Sequence, residues 1–413
     1  MRLQLPSTFI MHVTPRQLFF SHLAQTSDFP LALEIDRAEG VFLYGKNGQR
    51  YFDLISGIAV SNVGHRHPEV LSAIQQQLDK YLHLMVYGEY VQSPQVLLAE
   101  ALSDTLRLDA RYPSPYGTIS NVYFTNSGTE AIEGAMKLAK RFTGRHEFVS
   151  CYNAYHGATQ GALSLAGAEF FKQNFRPLLP GIRHIRHGAI ADLENITQRT
   201  AAVIIEVISG EAGVRVPEAG YFAALRQRCT EVGALLILDE IQTGFGRTGT
   251  FWAFESTGIY PDLLVSAKGM GGGMPIGAFM ASPEIMQVFK EKPILGHITT
   301  FGGHPVSCAA SLATLRVIRE NQLPSRAHAL GQRIKARLQH PSIKEIRGQG
   351  LMLAAEMESF GVLKSVIDRC IERGVITDWF LFCDNAMRLA PPLIISEAEL
   401  DEACGIILGV LGE

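Results

Sequence analysis

Between residues 121 and 281, short apolar runs recur every few tens of residues. They predict strands at Asn121–Thr125, Glu147–Cys151, Ile182–Ile185, Ala201–Val207, Ala234–Leu238, Leu263–Ala267 and Ile276–Ala281. Val203-Ile204-Ile205 and Leu235-Leu236-Ile237-Leu238 show no polar alternation, which suits strands covered on both faces. The gaps leave room for crossover helices, so the pattern predicts an α/β fold with a mostly parallel seven-stranded sheet. From Pro305 the spacing becomes helical, through Ala309, Leu312, Leu315 and Ile318. A smaller α/β pattern follows: Ile343–Arg347, Leu351–Met357, a helix around Val362–Arg373, and Met387–Leu389. Near the other end, Val41–Tyr44 and Arg50–Asp53 read as hairpin strands. The two terminal regions, 1–59 and 308–413, are expected to form one smaller domain beside a large domain at 60–307.

Composition narrows the class. With 413 residues, 47% hydrophobic and 19% charged, the chain reads as a globular protein with a large core and two or three domains. A net charge of −3 gives no footprint for nucleic acid. The six cysteines form no C-x-x-C pair, which argues against a disulfide scaffold or zinc ribbon and fits a reducing cytoplasm. No metal site is expected, and no apolar run is long enough for a membrane span. The first residues, broken by Pro6, Ser7, His12 and Pro15, read as an ordinary leader rather than a signal peptide.

Four segments carry candidate chemistry, each with an ordinary reading beside it. In Leu235-Leu236-Ile237-Leu238-Asp239-Glu240 a carboxylate ends a buried strand, where open α/β sheets bind ligands. A buried Asp is costly unless something positive or protonated faces it, as a protonated pyridine nitrogen would. The ordinary reading is that Asp239 caps the following loop. In Val265-Ser266-Ala267-Lys268-Gly269 a strand delivers a lysine into a glycine-rich turn, Met270 to Pro275. Desolvation lowers a lysine's pKa and makes it a nucleophile toward carbonyls, although most lysines lie on the surface. Gly271-Gly272-Gly273 has neither the dinucleotide spacing nor the phosphate-loop ending. In Phe124-Thr125-Asn126-Ser127-Gly128-Thr129-Glu130 a strand turns into a helix whose free N–H groups and dipole favour an anion. Plain capping is the commoner use of such a turn. In Ala154-Tyr155-His156-Gly157 an aromatic beyond a strand either stacks on a planar cofactor or joins the core.

Order and spacing change the odds. An anion-binding turn, an aromatic, a strand-end Asp and a strand-end Lys follow one another in one sheet. Together they supply a phosphate cradle, a ring stack, a pyridinium partner and a Schiff-base amine, the set that pyridoxal 5'-phosphate requires.

These residues resemble the class III (ornithine/acetylornithine/4-aminobutyrate type) aminotransferases, from about Val41 to Pro392. Asp239-Glu240-Ile241-Gln242-Thr243-Gly244-Phe245-Gly246-Arg247-Thr248-Gly249 is similar to the family's longest signature. The resemblance makes Lys268 the Schiff-base lysine and Asp239 the ring-nitrogen partner. It implies that Gln242 bonds the cofactor's phenolic oxygen, that Gly128 and Thr129 hold its phosphate and that Tyr155 stacks on its ring. Ser127, His156 and Glu206 complete the implied cofactor-binding set. Thr299-Thr300-Phe301-Gly302-Gly303-His304-Pro305 resembles the segment whose threonine, here Thr300, reaches a neighbouring subunit's phosphate. That implies a homodimer with a shared active site; a loop threonine ahead of the Pro305 helix is the ordinary reading. Arg388-Leu389-Ala390-Pro391-Pro392 resembles the segment whose arginine grips a substrate α-carboxylate bidentately. Glu211 matches the glutamate that pairs with it and moves aside for 2-oxoglutarate or glutamate, with a weak surface salt bridge as the alternative. Ile58 matches a pocket-wall position.

There are departures from the family pattern. Glu206-Val207-Ile208-Ser209 stands where Glu-Pro-x-Gln is usual, and His304 replaces the commoner asparagine. Ala158 replaces an arginine of the 4-aminobutyrate branches, which tells against a second carboxylate site there. The resemblance implies the fold type I architecture of pyridoxal-phosphate enzymes. It also implies transfer of an amino group from an ω-amino or α-amino donor to 2-oxoglutarate, giving glutamate. A pyruvate-using ω-transaminase, an aminomutase or a decarboxylase on the same fold is the alternative within enzymes. A non-catalytic descendant is the alternative outside them, and its expected sign, loss of Lys268 or Asp239, is not seen.

Overall fold

Every residue of Thr200–Glu206 and Leu235–Asp239 is buried, as strands with both faces covered must be. In the computed structural model, which describes residues 13–107 and 115–413, these two strands lie inside a seven-stranded sheet. Along the chain the strands are β1 (Ile35–Glu39), β2 (Phe42–Gly45), β3 (Arg50–Asp53), β4 (Asn121–Thr125), β5 (Glu147–Cys151), β6 (Ile182–Ile185), β7 (Thr200–Glu206) and β8 (Leu235–Asp239). There follow β9 (Leu263–Ser266), β10 (Gly277–Ala281), β11 (Glu345–Gln349), β12 (Met352–Glu356), β13 (Val375–Ile376), β14 (Trp379–Phe380) and β15 (Cys383–Leu389).

The large sheet has the order β4-β10-β9-β8-β7-β5-β6. β10 is antiparallel to both of its neighbours and the remaining pairs are parallel. All strands but β10 therefore end on one edge, and that edge gathers Thr125, Cys151, Glu206, Asp239 and Ser266. Alternate side chains feed separate cores. Val203, Ile205, Leu236 and Leu238 pack into one apolar cluster, and Ala202, Ile204, Leu235 and Ile237 into the other. Each such fully buried Val, Ile or Leu contributes roughly 1.5–3 kcal/mol as an upper figure.

The predicted strands of this sheet form with ends displaced by at most one residue, Ala201–Val207 becoming Thr200–Glu206. The helix expected from Pro305 spans Pro305–Glu320 and packs on the helices Pro68–Leu78 and Ser93–Leu106. Each of the three carries proline in its first turn, where the missing N–H costs nothing.

Two four-stranded sheets flank this body, β1-β2-β3-β13 and β11-β12-β15-β14. β13 lies parallel to β3, with Val375 opposite Phe52 and Ile376 opposite Asp53, so a C-terminal strand completes an N-terminal sheet. β13 and β14 have two residues each, too short for any periodic signal, and the apolar pattern did not predict them. The leader reading of residues 1–12 lies outside the described residues. From Pro15 to His22 the chain is a short exposed helix capped by Thr14. Among the described residues no helix is long and apolar enough to cross a membrane, and no cluster of His, Cys, Asp and Glu could hold a metal ion. All six cysteines are free.

Candidate functional site

The strand ends open onto a cavity of about 500 Å³ lined by Ser127, Gly128, Thr129, Tyr155, His156, Glu206, Asp239, Gln242 and Lys268. A second cavity of about 560 Å³ lies outside it, lined by Ile58, Asp378, Trp379, Leu381 and Arg388. Tyr155, Glu211 and Lys268 line both, so they stand at the junction.

Lys268 follows β9 with φ +47°, a strained value for a residue with a Cβ. The residue lines both cavities. No hydrogen bond holds Nζ among the described residues. Burial, the largest influence, pushes the amine below the usual lysine range. Arg388 adds to that push, and Glu211 and Asp239 oppose it.

Asp239 ends β8 and is buried. Its Oδ1 accepts from the Ile241 N–H at 2.9 Å, which is the loop cap of the ordinary reading. Its Oδ2 lies 2.7 Å from Nδ1 of buried His156. Burial works against the imidazolium, but the Asp239 hydrogen bond and charge, with Glu206, outweigh it and raise the His156 pKa. His156 Nε2 is buried with no partner among the described residues. Glu206 lies beside Asp239 in register, and its carboxyl is pushed up to about 7, chiefly by burial. It accepts from Ser209 Oγ and the Gly210 N–H.

Ser127 caps the helix Gly128–Thr143, its Oγ accepting from the Glu130 N–H at 3.3 Å. The backbone N–H groups of Gly128 and Thr129 meet no acceptor among the described residues, as expected in a first helical turn. Packing on this turn is tight. A Cβ on Gly128 would meet Ile241 Cδ1 at 2.8 Å, and one on Gly157, at φ +132°, would meet the Thr129 backbone at 2.9 Å. The Thr129 hydroxyl lies 2.8 Å from Thr159 Oγ1, which ties the turn to the loop carrying Tyr155. Tyr155 is 40% exposed, so it is a cavity wall and not a core tyrosine. Gln242 donates from Nε2 to Glu211 at 3.3 Å, while its Oε1 is buried without a partner among the described residues.

Arg388 on β15 and Glu211 in the loop after β7 are both buried and bond through two parallel contacts of 3.1 Å. This is a bidentate pair closed off from water, not a surface salt bridge. Burial disfavours the Glu211 carboxylate, but Arg388 outweighs it and holds the pKa below the usual range. Arg388 also donates from Nε to Asp378 Oδ1 at 2.7 Å and lies over the Phe380 ring at 4.3 Å. Sequence reasoning missed Asp378, because nothing local marks an acid that meets its arginine across a hairpin. Ile58 is exposed, with φ +63°, at the outer cavity. Thr300 is exposed in the loop before Pro305 and lines neither cavity.

The arrangement is a buried carboxylate, an amine of lowered pKa, a helix-starting turn with open N–H groups and a paired arginine around one space. Comparison with known proteins agrees with it. The family model for "Aminotransferase class-III" matches residues 23–411. An acetylornithine aminotransferase of Methanopyrus kandleri is 38% identical over 92% of this chain and 94% of that protein. An ornithine aminotransferase of Toxoplasma gondii, solved with partial occupancy of PLP at its active site, superimposes with TM-score 0.88 and 29% identity, covering 97% of this chain and 95% of that one. An (S)-enantioselective omega-transaminase of Thermomicrobium roseum gives TM-score 0.87 and 29% identity, covering 96% and 97%.

Proposed function

The chain belongs to the class-III aminotransferase family, as a fold type I, pyridoxal 5'-phosphate-dependent enzyme of the ornithine/acetylornithine type, and from that premise we propose that it transfers an amino group from an ω-amino or α-amino donor to 2-oxoglutarate, giving glutamate. The inner cavity fits the cofactor. Its unpartnered His156 Nε2 and Gln242 Oε1, its free N–H groups at Gly128 and Thr129, and the close approach at Gly157 all await a polar, planar, anionic occupant. When bound, the cofactor supplies a carbonyl for amines and a ring that withdraws electrons from the reacting carbon.

The protein's part divides among named groups. Lys268 Nζ would hold the cofactor, and as a neutral amine facing the cavity it could take up and return a proton there. Its lowered pKa favours the neutral amine that both tasks need. Asp239, oriented by His156 and the Ile241 N–H, would face the ring nitrogen and favour a proton on it. Ser127, Gly128 and Thr129 would hold the phosphate, and Tyr155 would stack on the ring. Glu206 lies beside Asp239 in register, and its charge favours the protonated His156. Gln242 spans the cofactor and Glu211. Arg388 orients a substrate α-carboxylate, Glu211 covers Arg388 for donors that bring no carboxylate there, and Ile58 is an apolar wall. Thr300 serves the partner's phosphate in a homodimer, a reading supported by its exposed place outside both cavities. The division into 1–59 with 308–413 and 60–307 is supported by the β3–β13 pairing, and a cytoplasmic location by the six free cysteines.

The observation that carries this reading is the buried Glu211–Arg388 pair opening on the same space as Lys268. The test is the visible spectrum of the purified protein with pyridoxal phosphate, followed by glutamate without any keto acid. A visible band that glutamate bleaches is expected. A band that ignores glutamate overturns the exchange of Glu211 for a substrate carboxylate. Likeness to the Thermomicrobium roseum enzyme supports a second reading, a pyruvate-using ω-transaminase, in which alanine bleaches the band and glutamate does not.

A further inference from the structure

We propose that Asp378 is a specificity-determining residue: a second, fixed counter-ion to Arg388 that biases the outer cavity toward donors entering with net positive charge, the diamino acids with both amines free. The inference rests on the proposed aminotransfer reaction.

The two carboxylates on Arg388 are held differently. Glu211 sits in an irregular loop, and its bonds to Arg388, Gln242 and the Leu381 N–H are 3.1–3.3 Å. Asp378 lies between β13 and β14, where its backbone carbonyl accepts from the Arg388 N–H at 2.9 Å. The neighbouring Thr377 Oγ1 donates to the Arg388 carbonyl at 2.6 Å. Its side-chain bond to Arg388 Nε is the shortest ion contact of the group, at 2.7 Å. Asp378 is thus fastened by backbone and side chain to the strand that carries the arginine, whereas the backbone of Glu211 is tied to Phe382 in the turn beyond β14. Its other oxygen, Oδ2, has no partner among the described residues, and the side chain is 25% exposed on the cavity side.

Charge bookkeeping gives the consequence. Arg388 carries one positive charge and is faced by two negative ones. When Glu211 gives way to a substrate carboxylate, Asp378 stays, so the guanidinium is never faced by substrate alone. Of the other cations lining this cavity, Lys364 is neutralised by Asp368 at 2.6 and 2.7 Å, and Lys268 is common to wild type and variant. Removing the Asp378 charge must therefore favour anionic ligands and disfavour cationic ones, whatever their pose. Asp378→Asn isolates that charge, because the amide oxygen still accepts from Arg388 Nε.

The experiment compares wild type with Asp378→Asn, at pH 8 to keep the carboxyl ionised against the upward push of burial. Three donors are used: ornithine (net +1), N-acetylornithine (net zero) and glutamate (net −1). Binding of glutarate, an unreactive dicarboxylate, is measured by calorimetry. In the variant kcat/KM is expected to fall about three- to tenfold for ornithine, to stay within about twofold for N-acetylornithine and to rise for glutamate. Glutarate should bind about three- to tenfold tighter. A uniform change across the donors, or none, with glutarate affinity unchanged, would show a structural role and overturn the proposal. Asp378→Ser keeps a hydroxyl acceptor and carries the same expectation should the Asn protein not fold. If wild type reacts with none of the donors, the glutamate-forming reading fails, and glutarate affinity alone then decides for or against Asp378.

Discussion

Asp239 Oδ2 lies 2.7 Å from His156 Nδ1, and both side chains are shut off from solvent. One carboxylate is thereby held from two sides, by an imidazole and by the Ile241 N–H, with its direction into the cavity fixed. His156→Ala removes one restraint. A hydrogen bond to a charged group contributes about 1.5–3 kcal/mol, so pyridoxal phosphate should bind roughly 10- to 100-fold more weakly. Titration of the apo protein by absorbance checks it, and unaltered affinity would show that His156 does not position Asp239.

Lys268→Ala should lower turnover by more than about 10²-fold, the usual scale for one positioned acid–base group. The cavity turn at Ser127–Thr129 remains, so the variant should still bind pyridoxal phosphate, without covalent attachment. Mass spectrometry after borohydride reduction separates the cases: wild type gains the cofactor's mass on Lys268 and the variant does not.

Arg388→Ala leaves Glu211 and Asp378 facing each other across a buried gap. Breaking one side of a buried ion pair costs about 3–5 kcal/mol, so the urea midpoint should fall clearly. Arg388→Lys restores the charge without the fork, and it should recover stability more than it recovers the KM for glutamate.

Glu240 is a buried carboxyl outside both cavities, bonded by Thr243 Oγ1 at 2.5 Å and the Phe254 N–H at 2.8 Å. Burial pushes it up to about 7 from the ordinary 4.5. Between those values the folded protein keeps a proton that the unfolded chain has released, so this group's contribution to stability falls as pH rises from 4.5 toward 7. Glu240→Gln copies the protonated form. It should match wild type near pH 5 and exceed it by about 1–3 kcal/mol at pH 8 in denaturant melts. Parallel pH profiles for the two proteins would show that Glu240 is ionised in the fold.

Gly157 has φ +132°, and a Cβ there would meet Thr129 Cα at 2.9 Å. Gly157→Ala should cost about 1–3 kcal/mol through backbone strain, and it should weaken cofactor binding by displacing the anion-binding turn. Melting temperature and cofactor titration check the two effects separately.

What the sequence determined by itself is what repeats locally. β7 and β8 are continuous apolar runs, and Pro305–Glu320 has helical spacing, so their place in the chain was legible without a neighbour. Lys268 and Asp239 were legible too, since each ends an apolar strand, and the resemblance to the family joined them to Ser127, Gly128, Thr129, Tyr155 and Gln242. The tertiary structure decided what has no local signal. His156 and Asp239 are 83 residues apart, and Glu211 and Arg388 are 177 apart. Their contacts exist because strands β5, β7 and β8 end on one edge and β15 brings its arginine to that edge. β13 and β14 are two residues each, and they form only because β3 and β15 offer unpaired edges. Asp378 takes its place from that hairpin. An acid in a polar turn looks alike in any sequence, and only the packing of β15 beside it made it the second carboxylate on Arg388.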